Sequence, residues 1–239
     1  GAVMVAMSES SSADPRALLG GDDVLAADLP DWRLLLRSLH ARFEVEYGAA
    51  LALVAAIGAH AAEVDHHPDI ELRHGSVRVV TQSHDVGGVT VRDVALARRV
   101  SELAREHGAR SAPEKVQALE IALDTPDLAR IKPFWQAVLG LADDPRDGDE
   151  LADALGTGLP GFWFQTSEPT DEDRAGGEPA GRMRFHLDIT VPHDVALDRV
   201  EAALAAGGRL VTAEHARSFW VLADAEGNKA CVCTWQDRG

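Results

Sequence analysis

The sequence predicts an α+β protein of two domains. An N-terminal antiparallel four-stranded sheet carries helices on one face, and paired βαβββ modules in the C-terminal half form an open curved sheet. Three observations predict it. The chain has 239 residues, 46% of them apolar, which is enough for two cores of ordinary size. In the first half, segments of helical period alternate with short strand-like segments. The second half repeats itself weakly, the mark of a duplicated unit.

The bulk numbers exclude several function classes. The 39 acidic and 23 basic residues give a formal net charge of -16, a field that repels phosphate backbones, so nucleic acid is not an expected partner. No run of 18 apolar residues occurs, and no membrane span is expected. Residues 1–14 are small and Ser-rich, without the basic start of a signal peptide, and read as a disordered tail. Cys231 and Cys233 are one residue apart. On a strand they share a face, and they read as two small buried hydrophobes in a reduced, cytoplasmic setting.

The first domain is expected over residues 15–109. Asp14 to Ala27 reads as a short helix, and Trp32 to Leu36 and Leu39 to Val45 read as strands. Tyr47 to Val64 is Ala-rich, with Leu51, Val54, Ile57, Gly58 and Ala61 on one helical face. Ile70 to Arg73 and Val77 to Ser83 are strands. In the second of these, Val77, Val79 and Thr81 alternate with Arg78, Val80 and Gln82, as on a half-buried strand. His84 to Gly88 is a loop, and Thr90-Val91-Arg92-Asp93 resembles a capping box with Asp for Glu, opening a helix that ends near Gly108. Residues 110–116, starting Arg-Ser-Ala-Pro-Glu, lack periodicity and read as a linker.

The second domain is expected over residues 117–239. Leu119 to Pro126 aligns with Phe185 to Pro192, each a strand followed by Pro near a helix start. Helices follow over Leu128 to Leu139, ended by Gly140, and over Val195 to Ala206, ended by Gly207-Gly208. Residues 168–181 are the joining loop. Glu120 and His186 are equivalent in the two repeats, so both should point into the concave face, with Cys231 approaching from the last strand. The plain alternative pairs Glu120 with His186, or either with Arg184.

The residues fitted for chemistry cluster in the first domain. Asp65-His66-His67-Pro68 follows the Ala-rich helix, and Pro68 keeps the preceding residue out of helical geometry. His84-Asp85 follows a strand end. A His pair at a helix exit and a His at a strand end can meet in one cleft, and imidazole moves protons near neutral pH. Read alone, the pair is equally a solvated helix end, Gly87-Gly88 a tight turn, Asp93 a helix cap, and three histidines a zinc set.

From Glu63 to Ala104 the chain closely resembles the pterin-4a-carbinolamine dehydratase family. The resemblance lies in His66-His67-Pro68, in Thr81-Gln82-Ser83-His84-Asp85-Val86-Gly87-Gly88-Val89-Thr90 and in Arg92-Asp93, with Leu29-Pro30-Asp31-Trp32 upstream. It implies catalytic His66, His67 and His84, substrate contacts from Pro68, Asp85 and Asp93, and a small-molecule pterin as substrate. It also implies no metal or redox cofactor, and a homo-oligomer, dimer or tetramer. The chain departs from the family after the His-His-Pro motif, where Asp69-Ile70-Glu71-Leu72 replaces an aromatic residue. Members of this fold also serve as non-enzymatic assembly partners, which is the alternative function.

Residues 117–236 resemble the glyoxalase/bleomycin-resistance (vicinal oxygen chelate) superfamily. The resemblance lies in Phe134 to Leu141, in Phe185-His186-Leu187-Asp188 and in Asp224-Ala225-Glu226-Gly227-Asn228. Its metal-dependent members take one ligand from each of four strands, at positions matching Glu120, Gln165, His186 and Cys231. Cys231 stands where a carboxylate is usual, so a metal-free binding or structural domain is expected, with Glu120, His186 and Cys231 as weak metal candidates. The aromatics Trp135, Phe162, Trp163, Phe164, Phe219 and Trp220 line a pocket or, more simply, fill the core. A third function places the main chemistry in this half.

Overall fold

The computed structural model describes residues 14–154, 156, 158–168, 186–192, 194–234 and 236–237. The Ser-rich start up to residue 13, Arg184, Phe185 and nearly all of the joining loop lie outside the described residues. The chain divides between Ala118 and Leu119 into two compact units.

In the first unit β1 (Trp32–Leu35), β2 (Ser38–Glu44), β3 (Asp69–Arg73) and β4 (Ser76–Thr81) form an antiparallel sheet in the order β1-β2-β4-β3. Period-2 alternation decides its inner face: Leu39, Ala41 and Phe43 of β2 and Val77 and Val79 of β4 are buried in one core. The helices α2 (Tyr47–Val64) and α3 (Val91–Glu106) bury their stripes there, with Leu53 and Ile57 from α2 and Leu96, Ala97 and Val100 from α3. Trp32 locks β1 to α3, its indole Nε1–H donating to the Ala97 carbonyl at 3.1 Å and to Ser101 Oγ at 3.0 Å.

Three expectations need correction here. The first helix, α1 (Gly21–Ala26), is shorter than Asp14 to Ala27. Gly20 caps it, and Gly20 N–H donates to the Asp23 carboxylate at 2.9 Å. The buried stripe of α2 is Ala50, Leu53, Ile57 and Ala61, while Leu51 is exposed. An Ala-rich helix is apolar on most of its circumference, so its periodicity leaves the phase open. By length and composition α2 also suffices to cross a membrane, yet that stripe packs on the sheet. Finally, the segment read as a linker opens with β5 (Arg110–Ser111), which pairs with β2 at Phe43 and Glu44. Ala112 beyond it is buried, and its N–H reaches the Arg42 carbonyl at 2.8 Å.

The second unit contains the duplication. The first module is β6 (Glu120–Thr125), α4 (Leu128–Leu139), β7 (Ala142–Asp144), β8 (Asp147–Ala152) and β9 (Gly161–Thr166). The second is β10 (Leu187–Thr190), α5 (Ala196–Ala205), β11 (Arg209–Thr212), β12 (Phe219–Ala223) and β13 (Lys229–Cys233). Both sheets have the same order, β6-β9-β8-β7 and β10-β13-β12-β11, with the first strand parallel to the last. Gly140, at φ 71°, stops α4 in the left-handed region that an L side chain resists.

The modules share one core. Trp135, Phe162, Phe164 and Trp220 lie in it together with Leu222 and Val232, so these aromatics are core, and Trp135 stacks on Phe162 at 5.0 Å. The buried Asp224 carboxylate accepts from Trp135 Nε1 at 3.0 Å and from Asn228 N and Nδ2 at 2.8 Å each. The Asp224-to-Asn228 stretch therefore fixes the turn before β13 to a helix of the other module.

Two glycines give opposite stability predictions. A Cβ on Gly208 would lie 2.4 Å from Phe134 Cδ2 and 2.8 Å from the Ala203 carbonyl oxygen. Gly208→Ala is therefore expected to cost about 1–3 kcal/mol, as overpacking does. Gly58, inside α2, has nothing within 4 Å of that position, so Gly58→Ala should add about 0.5–1 kcal/mol. Thermal unfolding followed by circular dichroism checks both signs.

Candidate functional site

The first unit holds a carboxylate with no solvent exposure. Asp93 is 0% exposed in the first turn of α3, and a buried charge persists only where hydrogen bonds replace its water. Its two oxygens divide the task. Oδ2 accepts from the Thr90 backbone N–H at 2.8 Å and from Ser83 Oγ at 2.7 Å, and so completes the capping box. Oδ1 accepts from Thr81 Oγ1 at 2.7 Å and from His66 Nε2 at 2.7 Å. Burial alone would push the Asp93 carboxyl up. The hydrogen bonds from Ser83, Thr81, the Thr90 amide and His66 outweigh it and hold the group below the usual carboxylate range.

Local backbone geometry delivers His66. Asp65 stops α2 in the left-handed region, at φ 51° and ψ 43°, three residues before Pro68. The His66 N–H then returns to the Ala61 carbonyl at 3.1 Å, and its side chain turns inward to 8% exposure. In the neutral ring, giving Nε2–H to Asp93 fixes the tautomer and leaves Nδ1 as an acceptor.

The other expected site residues make no hydrogen bond to this dyad among the described residues. His67 is exposed and Pro68 half-buried at the entry to β3. His84 is exposed and follows Ser83, one of the Asp93 donors. Among the described residues no hydrogen bond joins His66 to His67 or to His84. Asp85 turns to two arginines, Arg92 at 2.7 Å and Arg16 at 3.3 Å, and the hydrogen bond from Arg92 holds its carboxyl below the usual range. Sequence reasoning missed Thr81 and Ser83. Period-2 burial places both inside, and the signal available was that these two inward positions are hydroxyls.

In the second unit, strand alternation puts Ile121 and Leu123 of β6, and Leu187 and Ile189 of β10, against the core. Glu120, Asp188 and Thr190 are exposed on the opposite face, and His186, just ahead of β10, is also exposed. Among the described residues no hydrogen bond or ion pair joins His186 to Glu120, and Arg184 lies outside them. Its Nδ1 lies 2.9 Å from Asp188 Oδ1 and 3.4 Å from Cys231 Sγ. Burial first, and then the Asp188 contact, push the Cys231 thiol up to about 12, which makes it a poor nucleophile. Glu120 lies instead over Gly161: from the position of a Gly161 Cβ its Oε1 is 3.7 Å away and Glu150 Oε1 is 3.9 Å away. Gln165 is exposed in register with Asp124. Among the described residues Glu120 does not join His186 and Cys231, and Asp188, absent from the expected set, does.

Comparison with known proteins divides the chain in the same place. The family described as pterin 4 alpha carbinolamine dehydratase matches residues 21–103, and the glyoxalase-like domain matches residues 120–233. A Nocardia farcinica protein, named among the pterin-4-alpha-carbinolamine dehydratases, is 38% identical over 91 residues, 37% of this chain and 96% of the relative. The solved transcriptional coactivator/pterin dehydratase of Brucella melitensis is 25% identical, covering 37% of this chain and 99% of that one at a TM-score of 0.36. A glyoxalase/bleomycin resistance protein/dioxygenase family enzyme from Burkholderia phytofirmans is 22% identical, covering 48% of this chain and 95% of that one at a TM-score of 0.37.

Asp93→Asn tests the carboxylate. An amide keeps the shape but brings its own donors to face Ser83, Thr81 or His66, and a loss of about 1–3 kcal/mol is expected, as when a buried hydrogen-bond partner is left unsatisfied. The wild-type pH profile follows from the direction of the Asp93 shift. The unfolded carboxyl takes up its proton first as the pH falls, so the contribution of Asp93 is complete above about pH 4 and declines below it. Urea unfolding of both proteins between pH 3 and 7 should show that acid-side decline in the wild type and lose the Asp93 share of it in the variant.

Proposed function

Through its first unit the chain belongs to the pterin 4 alpha carbinolamine dehydratase family, and on that premise we propose that it dehydrates a 4a-hydroxytetrahydropterin to the quinonoid dihydropterin. The observation that carries the reading is the buried Asp93–His66 pair, with Nε2 held 2.7 Å from the carboxylate. The reaction removes a hydroxyl from C4a and a proton from a ring nitrogen, and releases water. A base must take the nitrogen proton while an acid protonates the leaving oxygen. His66 suits the base: its ring is anchored at Nε2, which leaves Nδ1 to accept a proton, and the neighbouring carboxylate stabilises the imidazolium that forms. In this reading His67 and His84, both exposed, supply the acid, with Pro68 and Asp85 as substrate contacts. An oligomer belongs to the same reading, since Tyr47, Leu51 and Val64 leave apolar surface exposed on α2.

The test is a hydroxylase-coupled assay with the full chain. His66→Ala and His84→Ala should each slow dehydration by roughly 10²–10⁴-fold, the range for losing one general acid or base. Because His66 is buried, His84→Ala is the variant whose fold is least in question. Wild-type rates in both variants would remove these histidines from the reaction.

A further inference from the structure

The remaining cluster of ligating side chains lies on the paired strands β10 and β13. These strands are parallel with Asp188 in register with Cys231, so the two side chains are cross-strand neighbours. His186 precedes Asp188 by two residues, the spacing that returns a side chain to the same face. His186 Nδ1, Asp188 Oδ1 and Cys231 Sγ all lie within 4.8 Å of one another, and this is the trio of potential metal ligands that the described residues bring together. Glu120 is not part of it.

We propose that the second unit binds one divalent transition-metal ion of the zinc type on His186, Asp188 and Cys231, a site confined to one module rather than shared between the two. Zinc bonds of about 2.3 Å to sulfur and about 2.0–2.1 Å to nitrogen and oxygen give tetrahedral edges of about 3.6 Å for S···N and about 3.4 Å for N···O. The Cys231–His186 distance of 3.4 Å is close to the first. The His186–Asp188 distance of 2.9 Å is a hydrogen-bond length that opens by about half an ångström around a cation. One soft thiolate beside an imidazole and a carboxylate selects zinc or cobalt over magnesium or calcium. On binding, the Cys231 thiol releases its proton to solvent. Three protein ligands leave a fourth position, and the His186 and Asp188 side chains are 54% and 55% exposed, so that position opens to water or a small anionic ligand. The proposal stands independently of the dehydratase reading.

The test is cobalt(II) titration of the full chain after chelator stripping, with elemental analysis of protein purified without chelator. One ion per chain is expected, with thiolate-to-cobalt charge-transfer absorption and the visible bands of a four-coordinate centre. Cys231→Ser should abolish the charge-transfer band and Cys233→Ser should keep it. His186→Ala and Asp188→Asn should each weaken binding at least ~10-fold, the scale on which altered coordination shells are felt. Glu120→Gln should leave affinity unchanged. Asp188→Asn is exposed and near-isosteric, so it keeps the test readable if Cys231→Ser fails to fold. The proposal is overturned by a wild-type protein without the charge-transfer band, by a band that survives Cys231→Ser, or by Glu120→Gln weakening binding as much as Asp188→Asn.

Discussion

The first unit depends on keeping one carboxylate ionised without water. Asp93 has no exposure, and its charge is offset by donors that arrive from separate elements: Thr81 and Ser83 from the end of β4 and just beyond it, the Thr90 amide from the start of α3, and His66 from the exit of α2. Each has its own local reason to be there, whether strand alternation, a helix cap or a left-handed stop at Asp65. Their meeting at one carboxylate makes the site and the fold a single problem. Loss of any donor leaves a buried acceptor short, and a buried charge tolerates that poorly.

The second unit solves a different problem. The two modules share a core, with Trp135 of one fixed to Asp224 of the other. That arrangement spends the inward strand positions on packing. The outward ones carry whatever chemistry the unit has, and it is there that His186, Asp188 and Cys231 meet.

Much of this was legible in the sequence. The bounds of α2 and α4 coincide with the periodic segments, and the inward set of β4 is the alternating one. The duplication was visible because each repeat carries its own strand, proline and helix stop. The phase of α2 was not legible, since alanine on most faces removes the contrast that periodicity needs. Nor was the pairing of β5, a two-residue strand whose partner lies far back in the chain. Asp93 was open to reading as a helix cap, and the structure shows that it also holds His66, because Oδ2 serves the helix while Oδ1 serves His66. Sequence spacing sees one side chain where the structure uses two atoms. Asp188 was hidden for a related reason: it is an unremarkable outward residue until the register of β10 on β13 sets it beside Cys231.

The two polar clusters differ in how their charge is balanced. Around Asp93 the balance comes from hydroxyls, an amide and an imidazole, all protein groups, so the carboxylate is settled by the fold itself. The trio on β10 and β13 is dominated by groups that offer lone pairs. One imidazole nitrogen faces a carboxylate and a sulfur at once, and a single N–H cannot serve both acceptors well. In its neutral form that nitrogen has one proton for two partners, and protonation of the thiol leaves the sulfur only a weak donor. A cation answers all three lone pairs together and holds the thiolate that burial otherwise disfavours. The Asp93 cluster is thus balanced by donors within the fold, whereas the trio on β10 and β13 is the one that the proposed cation would balance.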